Sequence, residues 1–179
     1  LFKYVEKYIA EEKDERTFHI ILTTSNHPPY NIDVASKGFP KEEIKQKLPD
    51  SLGSDEETLN EMGHIWYVDQ SMGNFIEKVE ADKPDTLFVI TGDHAERFDF
   101  AQEVDLKTLS AVPCIFYGKN VDKDLLADNK VGCHLQIIST LAEMAGKKGD
   151  TYSSIWPSLF EYNGIVFNHR LWTDTEKIY

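Results

Sequence analysis

A carboxylate and an imidazole stand side by side at Asp93 and His94, where the apolar run of residues 87–90 gives out into Thr91 and Gly92. The pair offers one oxygen and one nitrogen donor, a combination suited to a divalent ion such as zinc or manganese. "TGDH" is equally good turn chemistry, so the two residues either cap a turn or belong to a site. His27 lies in "TTSNHPPY", a loop pinned by Pro28 and Pro29. Held rigid there, an imidazole can hydrogen-bond a transferred phosphoryl or sulfuryl group or protonate a leaving oxygen. The plainer alternative is an exposed loop histidine. Arg97 follows Asp93 by four residues and has the fork geometry that suits a tetrahedral anion. His134 opens a helical stretch in line with Ile138 and Leu141, either as a core or rim histidine or as a direct ligand. Asp69 falls inside an apolar helical stripe, where a carboxylate needs a partner, and is read as a structural tie to a neighbouring loop before a role in metal binding. His19, His64 and His169 are read as structural. No glycine-rich phosphate loop, nucleophile elbow or Cys–His arrangement occurs.

The elements that must position these residues follow from periodicity. Apolar residues at 2, 5, 8 and 9 predict an opening helix that ends in a charge run. "TFHIILTT" (17–24) predicts a buried strand, broken at "SNHPPYNI" by its prolines. Residues 31–53 form a polar excursion with a short helix near "KEEIKQKL". Ser54-Asp55-Glu56-Glu57 fits a capping box and starts a long helix to about Glu80, striped by Leu59, Met62, Ile65/Trp66, Met72, Phe75/Ile76 and Val79. A strand to Thr91 comes next, then a strand at "AVPCIFYG" (111–118) and a helix at 133–146 with Gly146 at its C′ position. The tail "GIVFNHRLWTDTEKIY" alternates like a terminal hairpin or edge pair. This order predicts an α/β fold on a largely parallel sheet, with ligands at the carboxyl ends of the strands. Two of the predicted strands run into histidine-bearing loops, at His27 and at Asp93–His94.

Composition limits the partners. A chain of 179 residues with 41% hydrophobic and 28% charged residues suits a single folded domain over 1–179. Asp and Glu outnumber Lys and Arg by 31 to 19, and the net charge of -12 would repel a phosphate backbone, so nucleic acid is excluded as a partner. An anionic substrate is compatible only where a metal or local cations reverse the field. No run approaches the roughly 18 apolar residues of a membrane span, and no signal peptide opens the chain. The chain as given is expected to be soluble, without membrane contact of its own. Cys114 and Cys133 make neither a disulfide framework nor a zinc motif.

Four stretches, taken together, resemble a known family: "TTSNHPPY", "IWYVDQSMGNFIEKV", "TLFVITGDHAER" and "VGCHLQIISTLAEMAG". In that order they resemble the C-terminal half of a sulfatase-family catalytic domain of the alkaline phosphatase superfamily, most of all the lipoteichoic acid synthase and phosphoglycerol transferase type. The resemblance implies a three-layer α/β fold, a mostly parallel sheet flanked by helices, present here as a partial domain. It implies that Asp93 and His94 ligate one divalent cation, manganese before magnesium, calcium or zinc, and that His27 contacts the substrate phosphate or leaving group. Arg97 and His134 are the further substrate-binding candidates. His134 departs from the family's motif, because Gln136, Ser139 and Thr140 stand where Asp and a Pro-Thr pair are usual.

The implied activity is metal-dependent hydrolysis or transfer of a phosphoryl or sulfuryl ester carried by a lipid headgroup or glycan. The implied setting is the extracytoplasmic domain of a bacterial membrane-anchored protein. The family's nucleophile and its other acidic ligand belong to an N-terminal half not present in these residues, so the chain is expected to carry half a site and to be inactive alone. The rival expectation is a pseudoenzyme or accessory binding module on the same fold. A hydrolase using His94 as a base beside Asp93 is a further alternative, disfavoured because sequence neighbours point apart.

Overall fold

The computed structural model describes residues 1–13, 16–53, 55–95, 105–122, 131–147, 149–161, 165–167, 172–173 and 177. They gather into two compact units. One is built from Leu1–Asp93 with Pro113–Lys119, and most of the other from Asn120–Tyr179.

The first unit is organised by α4 (Glu56–Asp82), the long helix that the stripe predicts. Its start is specified locally. The Asp55 carboxylate accepts the Thr58 backbone N–H at 3.0 Å, satisfying one of the helix's orphan donors. The cap is therefore Asp55 with Thr58 three residues on, rather than the predicted box, whose Ser54 lies outside the described residues. The residues it buries are Leu59, Gly63, His64, Phe75 and Val79. Phe75 is the hub. It stacks on Phe2 of α1 (Phe2–Glu11) at a centroid distance of 5.0 Å and meets Phe88 of β1 (Phe88–Thr91) edge-on at 6.4 Å. Gly63 lets the loop before α2 (Lys41–Lys47) come close: a Cβ there would sit 2.6 Å from Val34 Cγ2 and 3.2 Å from Phe39 Cδ1. Val34 and Phe39 are both buried, so that loop is pressed onto α4 where the helix has no side chain. α3 (Asp50–Gly53) is a single turn leading into the cap.

Asp69 is exposed, contrary to its place in the predicted stripe. The fully buried positions of α4 fall before residue 65 and after residue 74; between them residues 65–68, 71 and 72 are half-buried, while Asp69 stands on the exposed side with Gln70, Gly73 and Asn74. The strand expected over 17–24 is also absent: the segment forms no ladder, and Phe18, Ile20 and Leu22 are 67%, 83% and 75% exposed. Alternating apolar residues specify a strand only where a neighbouring chain takes their N–H and C=O groups. Among the described residues none does.

β1 pairs with β2 (Cys114–Tyr117), Phe88 opposite Tyr117 and Thr91 opposite Cys114, and the pairing is antiparallel. The expected mostly parallel, three-layer sheet is therefore not what the described residues form. They make two separate two-stranded ladders, both antiparallel. The sequence between β1 and β2 exceeds the dozen or so residues that a parallel crossover needs, so length left the direction open.

The second unit packs α6 (Leu135–Ala145) against a 3₁₀ turn at Leu159–Glu161, after the short α5 (Leu106–Ser110). Its buried face is polar. Gln136, Ser139 and Thr140 are within 1% of full burial, while Leu135 and Ile138 are 48% and 64% exposed. The two hydroxyls are satisfied internally: Ser139 Oγ and Thr140 Oγ1 both donate to Gln136 O, and Thr140 Oγ1 accepts the Leu159 N–H at 2.9 Å. Gly146 is the C-cap in extended backbone, so the helix ends without the left-handed turn expected of it. The tail forms the predicted hairpin-like pair, β3 (Val166–Phe167) on β4 (Trp172–Thr173). Both cysteines are free thiols. No described helix is long and apolar enough to cross a membrane.

Candidate active site

The loop between residues 24 and 32 carries the best-defined arrangement. His27 N–H donates to Thr24 O at 3.2 Å, closing a turn, and the Pro28–Pro29 peptide is cis. His27 Nδ1 lies 2.7 Å from Pro28 O. A carbonyl oxygen can only accept, so Nδ1 carries the proton and Nε2 is the ring atom left to meet a ligand. The ring is exposed at the mouth of a cleft of about 410 Å³ lined by Thr24, Ser25, His27, Asn31, Ile32 and His64, with the two prolines on its wall. Hydroxyl, amide and imidazole groups beside Ile32 and the two prolines suit a small polar ligand.

α4 holds this loop from below. Asn60 Nδ2 donates to Tyr30 O at 3.0 Å, and the Ile32 N–H donates to His64 Nε2 at 3.1 Å. His64 Nδ1 donates to Asn60 O at 2.9 Å, which makes the ring a neutral Nδ1–H tautomer. Tyr30 packs edge-on against His64 at 5.3 Å. The sequence reading of His64 as structural holds, but its place at the cleft and its partnership with Asn60 went unnoticed. The available signal was their spacing of four, which puts both side chains on one helix face.

Asp93 and His94 follow β1 directly, as the strand-end pattern requires, and both are exposed. The contact division falls between them, Asp93 closing the first unit's opening segment. Their donor chemistry fits a divalent ion. Among the described residues, however, no three His, Cys, Asp or Glu side chains converge. Two donors fall short of the four or more such an ion takes, so a complete shell draws on water, substrate or residues outside the described set.

His134 is exposed where α6 begins. The altered motif beside it has a local explanation: Gln136 Oε1 accepts the Cys133 N–H at 3.0 Å, the reach-back half of a capping box. An amide at 136 thus serves the helix start, and its Nε2 is left buried without a partner. Arg97 and His169 lie outside the described residues. His19 bonds Thr17 Oγ1 through Nε2 at 3.0 Å and packs edge-on to Tyr8, away from the cleft lining.

The family model described as Sulfatase matches residues 1–147, most of the chain, spanning the His27 cleft, the Asp93–His94 strand end and the helix at His134. No curated protein and no solved structure matches it.

Proposed function

The chain belongs to the sulfatase family, and on that premise we propose that it is part of a metal-dependent enzyme that hydrolyses or transfers phosphoryl or sulfuryl esters. Family membership carries the coarse assignment: ester hydrolase-type chemistry on an alkaline phosphatase-like α/β fold, in a family that generally uses a divalent metal. The finer assignment is ours. Residues 1–179 form the C-terminal part of one catalytic domain of phosphoglycerol transferase or sulfatase type. Its substrate is an anionic ester on a lipid headgroup or glycan, met outside the cytoplasm of a bacterium by a membrane-anchored protein. The single observation that carries the assignment is the match over 1–147, which covers His27, Asp93, His94 and His134 together.

Asp93 and His94 are assigned to the cation, manganese by preference over magnesium, calcium or zinc. When bound, the ion supplies positive charge against a tetrahedral group and acidity to a nucleophilic hydroxyl. His27 acts from its own loop. With Nδ1–H committed to Pro28 O, Nε2 either hydrogen-bonds the substrate or, once protonated, gives its proton to the departing oxygen. Such a transfer contributes about 10²–10⁴-fold to rate. Arg97 and His134 are assigned to the anionic end of the substrate.

The test uses the full-length protein loaded with manganese and assayed on p-nitrophenyl phosphate and p-nitrophenyl sulfate. Asp93→Asn and His94→Ala are expected to lose bound metal and turnover together, and His27→Ala to keep metal and lose about 10²-fold or more in kcat. Unchanged metal content in both ligand variants would sink the cation assignment. The altered motif at 136–140 is what favours the non-catalytic alternative, and the capping role of Gln136 is compatible with either reading.

A further inference from the structure

We infer that His64, together with Asn60, is a positioning residue for His27, acting through the backbone of residues 30–32; this rests on the proposed role of the His27 cleft. His64 is 1% exposed, yet it lines the cleft. It does not offer that cleft a free nitrogen. Nδ1–H is spent on Asn60 O and Nε2 on the Ile32 N–H. Its influence on a ligand therefore passes through what it holds.

What it holds is the far end of the histidine loop. Asn60 and His64 lie one turn apart on α4 and grip two nearby peptide groups, Tyr30 O and Ile32 N. Pro28 and Pro29 transmit that restraint stiffly, since each fixes its own φ and restricts the residue before it. At the near end, the Pro28 carbonyl fixes the His27 ring by accepting from Nδ1. The chain of contacts thus runs from helix to loop to ring, and its product is one tautomer with Nε2 presented. If the grip is lost, Pro28 O shifts relative to the ring and the tautomer is no longer enforced. A displacement of about an ångström at a reacting group can cost about 10²-fold in rate.

Two readouts separate this role from plain stability. The first is the ¹⁵N signature of the His27 ring in the full-length protein, which reports which nitrogen bears the proton. Wild type is expected to show Nδ1–H, His64→Ala a mixture, and His64→Gln, whose Oε1 can take the Ile32 N–H, a return towards wild type. The second is turnover on p-nitrophenyl phosphate, where His64→Ala is expected to lower kcat about tenfold or more while KM moves less than about threefold. An undisturbed His27 tautomer in folded His64→Ala overturns the inference and leaves the proposed function standing. Wild-type turnover in His27→Ala overturns the function of the cleft instead. If His64→Ala does not fold, Asn60→Ala replaces it, since it deletes only the bond to Tyr30 O. A mixed tautomer there supports the inference, and a pure Nδ1–H state overturns it.

Discussion

At the scale of single residues, the buried polar groups matter more than the exposed charges. The salt bridges of the described residues are surface pairs, such as Lys7–Glu11 at 3.8 Å and Lys47–Glu43 at 2.6 Å, and pairs of that kind contribute little. Thr140 is different. It is fully buried and takes part in two hydrogen bonds, giving one to Gln136 O and accepting one from the Leu159 N–H. Thr140→Val preserves the shape and strips both bonds. Gln136 O keeps Ser139 Oγ as a donor, but the Leu159 N–H loses the acceptor that Thr140 gives it in a buried site. That should destabilise the protein by about 1–3 kcal/mol, read as a lower denaturant midpoint with an unchanged slope. A neutral result would mean that the α6 contact with the 3₁₀ turn does not depend on this bond. Serine and threonine at 139 and 140 looked like erosion of a family motif in the sequence. The tertiary structure shows them as internal donors of a polar interface, which a one-dimensional pattern has no means to express.

Between elements, the tightest fit is the approach of the 34–39 loop to α4. Alanine is the better helix former by about 1 kcal/mol, so propensity alone says Gly63→Ala should stabilise α4. Sterics say otherwise, because the new methyl would sit 2.6 Å from Val34 Cγ2, and Val34 is only 7% exposed. Overpacking of that kind typically costs about 1–3 kcal/mol. Gly63→Ala is therefore expected to lower stability on balance and to loosen amide exchange across residues 32–39. A more stable variant would show that the loop yields without cost. Much of the element level was legible beforehand: α1, α2, α4, β1, β2, α6 and the closing hairpin all stand close to where periodicity puts them. Boundaries and faces were less so. The 27-residue α4 outruns a single stripe, which is why Asp69 was assigned inward and is found outside. Residues 17–24 had every local mark of a strand and lacked only a neighbour.

For the molecule as a whole, exposed apolar side chains carry the main consequence. Phe18, Ile20 and Leu22 alternate along one segment, mostly in solvent. Ile20→Thr with Leu22→Thr should change the chain's stability by less than about 0.5 kcal/mol, as substitutions at unpacked surface sites do. The same pair should reduce its self-association in sedimentation, and a large loss of stability or unchanged self-association would count against this reading. Net charge of -12 works against such association without cancelling a contiguous apolar edge. By itself, the sequence determined the chemistry available: an Asp–His pair at a strand end, a histidine followed by two prolines, a net charge of -12, and motifs in the order of one family. These are matters of residue type, local spacing and order, which one dimension records in full. Only the tertiary structure decided that β1 and β2 run antiparallel, that α6 turns its polar side inward, and that His64 and Asn60 clamp the loop bearing His27. Each of those depends on which distant segment supplies a partner for a peptide group, and that is settled by hydrogen-bond satisfaction in three dimensions.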